Sequence, residues 1–512
     1  MSRTGHGREA PTTQLTRWLD RWRWVCFALL ALLYAAGYHV HWRIYPDSAL
    51  YVQVARNIAE GNGYVYHALP HDLSYPMLPW LIAGVWWLFG PGSWAILNAL
   101  FVAIGLGALA LVYRLIYLRI DRPTATVVTL LTGTMCVIYY YVFVPQTDVL
   151  FFLGTSAALA GYEGVMHNGG GRRLRAQPWL DWLILTGGLW LTISSRPSMW
   201  ALVLAIGATV AWMVYLGRQR GRHLTLAGLT GACLGVFYLL DPRRQMQYVN
   251  SYAGKLTDPK QVSSQIYESL TWWFSQTLPR LLGVDLPEAV QPYAGAALWL
   301  GLVALALGLL YWRLLWAMLA LATIAMLLVH LPVPRYFIPI APLLLLAGWS
   351  LVDGVNQRLP RAWAILALAL VLGLWLLPNG LLIGRFVYRQ HCEPFLQRHY
   401  GGRFYGMPDL GRRLGHSVPE DAWVLAPENH RVLTWYAQRR VRDQRLLFRT
   451  IARIESAESQ SPIYWLSWGR QKLDPAPLPS DAEWQRGQRV WLHELPDGRA
   501  VALWRLRRAV AD

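Results

Sequence analysis

Long apolar runs alternate with short polar segments through the first 383 residues of the chain. The first run, from Trp24 to Val40, follows a polar, arginine-rich N-terminus and is long enough to span a bilayer as an uncleaved signal anchor. Ten more runs lie at about 94–116, 124–144, 149–166, 179–195, 197–216, 224–240, 292–311, 315–331, 336–353 and 362–383. This pattern predicts a polytopic α-helical membrane protein with about eleven transmembrane helices.

Arginine is concentrated in alternate loops between these runs, which predicts the orientation of the chain. Cytoplasmic loops carry the excess of lysine and arginine, so the N-terminus is predicted to be cytoplasmic and, after an odd number of spans, the C-terminus external. Segments 43–93, 145–148, 241–291 and 332–335 then lie on the outer face. The clustered arginines are Arg114, Arg119 and Arg122; Arg172, Arg173 and Arg175; Arg218, Arg220 and Arg222; and Arg358 and Arg361.

One further apolar segment, 75–90, is short and interrupted by Pro76 and Pro79. We expect it to form an interfacial helix and not a span. Counting it as a span would invert every later loop, and the arginine distribution argues against that inversion.

After Ile383 the charges and prolines become more frequent, and the apolar runs shorten to strand length. We therefore predict a transmembrane domain at 1–383 and a small external α/β domain at 384–512. In the second domain a helix is expected around 409–416, strands at 423–426 and 463–468, and a hairpin from 490 to 503 around Pro496-Asp497-Gly498.

Composition narrows the function classes. The chain is 55% hydrophobic and contains 28 Trp, and its formal charge of +18 follows the membrane loops, so nucleic-acid binding is not predicted. Neither a P-loop nor a Gly-x-Gly-x-x-Gly fingerprint is present, and the four cysteines have no zinc spacing. His67, His71 and Asp72 have a spacing that permits metal binding, but such a polar loop is more often solvated. We predict neither a metal nor a cofactor.

The most informative segment follows the first span and carries a carboxylate, Asp47. Pro46 suits the first turn of a helix and Gly61-Asn62-Gly63 suits its end. Asp47 is therefore expected in the positive N-terminal turn, where the macrodipole favours its ionised form. Tyr51 falls one turn later on the same helix face.

Three more charged positions are expected at the outer boundary of the membrane. Asp148 opens the span at 149–166, and a charge there is expensive unless it is used or hydrated. Arg196 lies between two apolar runs, and Arg335 lies beside Tyr336 just before another. An external arginine runs against the charge bias of membrane loops, so we favour a functional role for Arg335 over a snorkelling one.

Together these features resemble the GT-C glycosyltransferases, in particular bacterial relatives of protein O-mannosyltransferases and of the lipid A aminoarabinose transferase. The resemblance covers most of the chain and rests on the order of its motifs. They are Asp-x3-Tyr-x3-Ala-Arg-Asn-Ile-x2-Gly at 47–61, an aromatic–proline stretch from Tyr75 to Pro79, Thr147-Asp148, Ser195-Arg196-Pro197, and Arg335-Tyr336-x2-Pro-x2-Pro ending at Pro342.

The resemblance implies that Asp47 is the catalytic base, that Asp148 is a second active-site acid, and that the donor is a sugar on a polyprenyl phosphate. The acceptor would be an envelope glycan, lipid or protein at the outer face of a bacterial cytoplasmic membrane, and the anomeric carbon would be inverted. Arg335, together with Arg280 or Arg196, would bind the departing phosphate. Tyr51, Tyr75 and Tyr336 are the remaining candidate substrate contacts.

The sequence also departs from these relatives. The lipid A transferases carry a Glu-Lys-Pro element before the interfacial helix, whereas segment 71–76 contains no lysine here, so the sugar stays open. Two alternatives stay open as well. A transporter or flippase would place acids at mid-membrane depth. An O-antigen-type polymerase or ligase would use a basic outer loop, such as 241–291 with Arg243, Arg244, Lys255, Lys260 and Arg280.

Overall fold

The computed structural model describes residues 10–43, 45–66, 69–70, 75–167, 178–240, 258–272, 275, 287–329, 333–392, 407–426, 430–443, 462–469, 484–494 and 500–508. The chain forms two compact units. The first comprises Met1–Tyr38, Asp72–Leu78 and Leu97–Val387, and the second comprises His39–His71, Pro79–Ile96 and Tyr388–Asp512.

Helices dominate the described residues. In chain order they are α1 Pro11–Arg21, α2 Arg23–Ala36, α3 Pro46–Ala59, α4 Met77–Phe89, α5 Trp94–Arg119, α6 Arg122–Gly133, α7 Cys136–Val142, α8 Thr147–His167, α9 Pro178–Ser195, α10 Met199–Tyr215, α11 Arg220–Leu240, α12 Pro259–Trp272, α13 Gln291–Gly308, α14 Leu314–Val329, α15 Ala341–Asn356, α16 Arg361–Cys392, α17 Met407–Ser417 and α18 His430–Ala437. The strands are β1 Val65–Tyr66, β2 Leu69–Pro70, β3 Trp423–Ala426, β4 Arg440–Asp443, β5 Ile463–Gly469, β6 Trp484–Glu494 and β7 Ala500–Arg508.

Several of these helices have the length and composition of membrane spans. Among the described residues, five helices meet both criteria, and the bent pair α6 and α7 raises the number to six if it is one span. Helices α2, α4, α10, α14 and α15 are apolar but shorter. The protein is therefore a helical membrane protein, and the number of about eleven spans stays a prediction.

Burial separates a central helix from a peripheral one in the first unit. Within its apolar window, α8 is 94% buried, whereas the more apolar window of α16 is only 6% buried. An apolar helix that exposes most of its side chains has to face lipid, since water would penalise that surface. Helix α8 is thus the packed centre from which the candidate site is built.

The apolar run predicted as continuous from 124 to 144 is broken into α6 and α7, with a bend of 65°. The Thr134 hydroxyl donates a hydrogen bond to the carbonyl of Leu130 at 2.8 Å. This bond competes with the helical hydrogen-bond pattern of the backbone. The freed backbone groups find partners elsewhere: Tyr34 donates to the carbonyl of Gly133, and Asn379 accepts from the N–H of Cys136 at 2.7 Å. Side-chain substitution of backbone bonds therefore stabilises the kink.

Helices α8 and α9 are antiparallel neighbours whose backbones approach very closely. A Cβ on Gly161 would lie 2.5 Å from the backbone nitrogen of Leu185, and one on Gly188 would lie 2.3 Å from that of Ala158. Only glycine permits this approach, as in other membrane helix pairs with small residues at the interface. The close packing brings the N-terminus of α8 beside the C-terminus of α9.

Several arginines of the predicted cytoplasmic loops contact buried acceptors of the first unit. Arg122 binds both carboxylate oxygens of Asp20, and Arg114 pairs with Asp181. Arg119 donates to the carbonyl of Trp312 at 2.8 Å. The same side chains that indicate topology in the sequence therefore also join helix ends.

The second unit contains a five-stranded sheet in the order β4-β3-β5-β7-β6. β3 is parallel to β4 and β5, while β7 is antiparallel to β5 and β6. The predicted helix at 409–416, the two strands and the hairpin strands are confirmed, although the hairpin tip lies outside the described residues. The boundary between residues 383 and 384 stays a prediction, and α16 continues through it to Cys392.

Candidate functional site

Asp148 and Arg196 meet where α8 and α9 pack together. Asp148 occupies the first turn of α8, where the helix dipole favours a carboxylate, and it is only 2% exposed. Arg196 follows the last residue of α9 and donates from Nη1 to Asp148 Oδ1. The predicted acid and the predicted cation are therefore one buried ion pair.

Arg335 and Tyr336 join this pair from the turn that precedes α15. They lie in a 3-10 turn, Pro334–Phe337, although the sequence predicted the span to begin at 336. Arg335 Nη1 donates to Gln146 Oε1 at 2.7 Å. Gln146 is 1% exposed, and its Nε2 is buried without a hydrogen-bond partner among the described residues.

Both guanidinium groups lie against the aromatic ring of Tyr336. The Cζ atoms of Arg196 and Arg335 are 4.6 and 5.2 Å from the ring centroid, within the range of a cation–π interaction. Asp148 compensates the charge of Arg196, and the bond from Arg335 Nη1 to the neutral amide of Gln146 orients the second guanidinium. We call Gln146, Asp148, Arg196, Arg335 and Tyr336 the arginine cluster; its N–H groups suit a phosphate anion.

Asp47 lies in the second unit, at the second position of α3. Pro46 is the first residue of the helix, and Ser48 Oγ accepts a hydrogen bond from the N–H of Tyr45 at 2.9 Å. The predicted location of Asp47 in the N-terminal turn is confirmed. Its side chain is 32% exposed and accepts a hydrogen bond at 2.5 Å from Arg431 Nη1.

The fold has counterparts among solved structures. ArnT from Cupriavidus metallidurans, bound to undecaprenyl phosphate, superposes with a TM-score of 0.56 at 13% identity, covering 96% of this chain and 98% of that one. The oligosaccharyltransferase AglB from Archaeoglobus fulgidus, in complex with an inhibitory peptide and a dolichol-phosphate, gives 0.56 at 13% identity, with coverages of 88% and 70%. The chain has the GT-C fold. The sequence itself matches no protein-family model and no curated protein.

In this GT-C fold the sequence motif at 47–61 is explained largely by structural contacts. Arg56 pairs with Glu60 at 2.9 Å and lies 5.2 Å from the ring centroid of Trp435. Asn57 donates to the carbonyl of Val65 at 2.7 Å, which fastens β1 to α3. Gly61 has a φ of +81°, as a helix C-terminus often requires. Asp47 and Tyr51 are the motif residues left for chemistry.

The other predicted contacts have different outcomes. Tyr51 is half-buried one turn after Asp47. Tyr75 is buried, and its ring stacks on Phe237 with the centroids 5.4 Å apart, so its described contact is packing and its substrate role stays a prediction. Arg280 lies outside the described residues, as do Arg243, Arg244 and Lys255.

Two residues that the sequence did not single out contact the candidates, namely Gln146 and Arg431. Gln146 stands two positions before Asp148, so its closeness to that acid in the sequence was a usable signal. Arg431 lies 384 residues from Asp47, and no local pattern links them. No group of three metal-binding side chains is found within the described ranges, and His67, His71 and Asp72 fall outside them.

Proposed function

We propose that this protein is a membrane glycosyltransferase that moves a sugar from a polyprenyl-phosphate donor to an acceptor hydroxyl in the cell envelope. The observation that carries the proposal is the arginine cluster, in which two guanidinium groups share the ring of Tyr336 and a buried amide N–H of Gln146 lies without a described partner. This is the chemistry of an oxyanion site. Two solved neighbours, one bound to undecaprenyl phosphate and one in complex with a dolichol-phosphate, support the same ligand class.

The cluster would act on the leaving group. As the bond between the anomeric carbon and the phosphate oxygen breaks, negative charge collects on the polyprenyl phosphate. Arg335 and Arg196 would stabilise that charge by hydrogen bonds already oriented before reaction, which is the most effective form of electrostatic catalysis. Asp148, the second acid of the site, would serve by holding Arg196 in position.

Asp47 would act on the acceptor. The acceptor oxygen forms a bond to the anomeric carbon while its proton passes to the Asp47 carboxylate, and polyprenyl phosphate leaves from the opposite face. A single displacement of this kind inverts the anomeric centre. Asp47 is suited to the role because it is held at a helix N-terminus yet remains partly exposed to an incoming hydroxyl. Tyr51 lies one turn further along and would contact the acceptor.

The arginine pattern of the loops supports an outer-face location. We place the N-terminus in the cytoplasm and residues 384–512 in the periplasm of a bacterial cytoplasmic membrane. That compartment is not supplied with nucleotide sugars, so a lipid-borne donor that enters from the bilayer is the chemically consistent choice. A glycan, a lipid and a protein all remain acceptors compatible with this reaction.

The test is transfer of radiolabelled sugar from a polyprenyl-phosphate donor to membrane material by purified protein. Asp47→Asn preserves shape and helix capping but removes the base, so we expect a loss of roughly a hundred- to ten-thousandfold in rate. Glu60→Gln is the matched control, since Glu60 lies at the end of the same helix and pairs with Arg56.

Three outcomes are informative. If Asp47→Asn is slow and Glu60→Gln is normal, the base assignment holds. If Asp47→Asn is active while Glu60→Gln or Asp72→Asn is inactive, the base is a different acid of the same segment. If wild-type protein moves labelled lipid across vesicles without forming a glycoconjugate, the transporter alternative replaces the transferase.

A further inference from the structure

One contact outside the arginine cluster joins Asp47 to a residue in the C-terminal part of the chain. Arg431 Nη1 donates to Asp47 Oδ1 at 2.5 Å, across 384 positions of sequence, and both residues belong to the second unit. Each side chain is 32% exposed. The pair is thus accessible to a substrate as well as internally ordered.

Helix α18, which carries Arg431, is held in place by aromatic contacts. Trp435, one turn after Arg431, contacts the rings of Trp42, Trp86 and Trp94 with centroid distances of 5.4, 6.0 and 6.4 Å. Trp42 Nε1 in turn donates to the hydroxyl of Ser48, the residue after Asp47. The aromatic contacts therefore fasten α18 to the start of α3.

A second set of contacts holds the far side of α18. Thr434 Oγ1 donates to the carbonyl of Val441 in β4 at 3.2 Å. A Cβ on Gly411 of α17 would lie 2.2 Å from the Cβ of Tyr436, so these two helices touch at van der Waals distance. Because α18 is held by α17, β4 and α3 together, the Arg431 backbone has little freedom to drift from Asp47.

Magnitudes indicate that the ion pair is not needed to hold the helices together. A partly exposed pair contributes little to stability, whereas each large aromatic side chain buries roughly 150–250 Å². The tryptophan contacts therefore dominate the docking of α18. What the Arg431 contact adds is orientation, because it fixes one oxygen of the carboxylate that the proposed reaction needs.

We propose that Arg431 is a positioning residue for Asp47, so that the C-terminal part of the chain completes the catalytic base. The inference rests on the proposed function and deepens it. Arg431 holds Oδ1 and so orients the carboxylate toward the acceptor hydroxyl, without itself touching the sugar or the phosphate. The proton still passes from the acceptor to Asp47.

The experiment compares Arg431→Gln and Arg431→Lys with wild-type protein in the sugar-transfer assay. Misplacing a catalytic group by about 1 Å costs up to roughly a hundredfold, so we expect kcat of Arg431→Gln to fall by about ten- to a hundredfold. The donor KM should stay within about twofold, because phosphate binding is untouched. Arg431→Lys should recover part of kcat, since it keeps the charge but not the planar fork.

Arg412→Gln is the matched control, because Arg412 forms an exposed pair with Asp409 in the neighbouring helix α17. It should behave like wild-type protein. The decisive comparison is the double variant Asp47→Asn/Arg431→Gln, which should be no slower than Asp47→Asn alone if Arg431 acts only through Asp47. A merely structural role would lower the residual rate further and would also lower the unfolding midpoint.

The outcomes separate this inference from the proposed function. If Asp47→Asn is inactive while Arg431→Gln keeps the wild-type kcat, the role of Arg431 is wrong and the base stands. If Asp47→Asn is fully active, Asp47 is not the base and the positioning role of Arg431 is wrong as well. Should Arg431→Gln not fold, Arg431→Lys carries the test: its kcat should lie below that of wild-type protein, and a wild-type kcat in a folded Arg431→Lys variant contradicts the inference.

Discussion

Two groups of arginine contacts in the first unit use the same side chain in different ways. In the first group, Arg313 meets Glu163 through both carboxylate oxygens at 2.9–3.0 Å, and Arg122 meets Asp20 in the same forked manner. In the second group, Arg196 meets Asp148, and Arg335 donates to the neutral amide of Gln146. The Tyr336 ring is shared between the two arginines.

The difference shows how a membrane protein can separate structural from functional cations. A guanidinium that is forked onto its own buried carboxylate has its donors and its charge satisfied, so it serves to join helix ends. A guanidinium that is held by an amide and an aromatic ring is oriented by neutral groups, and its N–H groups suit a phosphate anion. We therefore expect substitutions in the first group to affect stability and substitutions in the arginine cluster to affect transfer.

The largest expected effect is on stability. Arg313→Leu leaves Glu163, which is fully buried, without its cation, and breaking a buried pair on one side costs about 3–5 kcal/mol. Because Arg313 is itself 20% exposed, we expect the lower end of that range. Thermal unfolding in detergent measures the loss.

The control for that substitution is the double variant Arg313→Leu/Glu163→Leu. Replacing a whole buried ion pair by apolar residues is often neutral or stabilising, so the double variant should regain most of the midpoint. A double variant as unstable as Arg313→Leu would show that the pair does more than join the helices, and the comparison between the two groups would fail.

Arg335→Ala should have the next largest effect, and it should appear in turnover. Loss of one oriented cation from an oxyanion site costs about 2–4 kcal/mol of transition-state stabilisation, which is roughly thirty- to a thousandfold in rate. Arg335→Lys should recover only part, because an ammonium cannot reproduce the fork. The measurement is kcat/KM for the lipid-linked donor beside the unfolding midpoint, and an unstable but catalytically normal Arg335→Ala would reverse our assignment.

The smallest effect concerns Tyr336. Tyr336→Leu removes the ring that both arginines contact and should lower kcat/KM by about two- to thirtyfold, the value of a cation–π interaction of about 0.5–2 kcal/mol. Tyr336→Phe keeps the ring and loses only a long contact of 3.4 Å from Arg335 to the hydroxyl, so less than about a threefold change is expected. Equal losses in both variants would assign the effect to the hydroxyl and not to the ring.

Much of the fold could be predicted because its signals are local. Pro46 and Gly61 mark the ends of α3, and the apolar runs mark most helices within a few residues. The break between α6 and α7 was missed, because it depends on Asn379 and Tyr34 taking over backbone bonds of Cys136 and Gly133. Such replacements join positions that are distant in sequence, so the periodicity of apolar residues cannot predict them.

The candidate site was predicted in its members but not in its contacts. Asp148, Arg196 and Arg335 were chosen separately as charges at a membrane boundary, and the α8–α9 packing that pairs two of them depends on glycines such as Gly161 and Gly188. Gln146 was overlooked because a neutral amide carries no charge signal, although it stands two positions before Asp148. Arg431 was overlooked because its partner is 384 residues away.

The central claim is that the arginine cluster binds the phosphate of a polyprenyl phosphate, and equilibrium binding of undecaprenyl phosphate to the purified protein tests it most directly. A hydrogen bond to a charged group is worth about 1.5–3 kcal/mol. Arg335→Ala should therefore raise the Kd for undecaprenyl phosphate by roughly ten- to a hundredfold. Arg313→Leu/Glu163→Leu should bind as wild-type protein does. Wild-type affinity in Arg335→Ala, or equal weakening in both variants, would contradict the account.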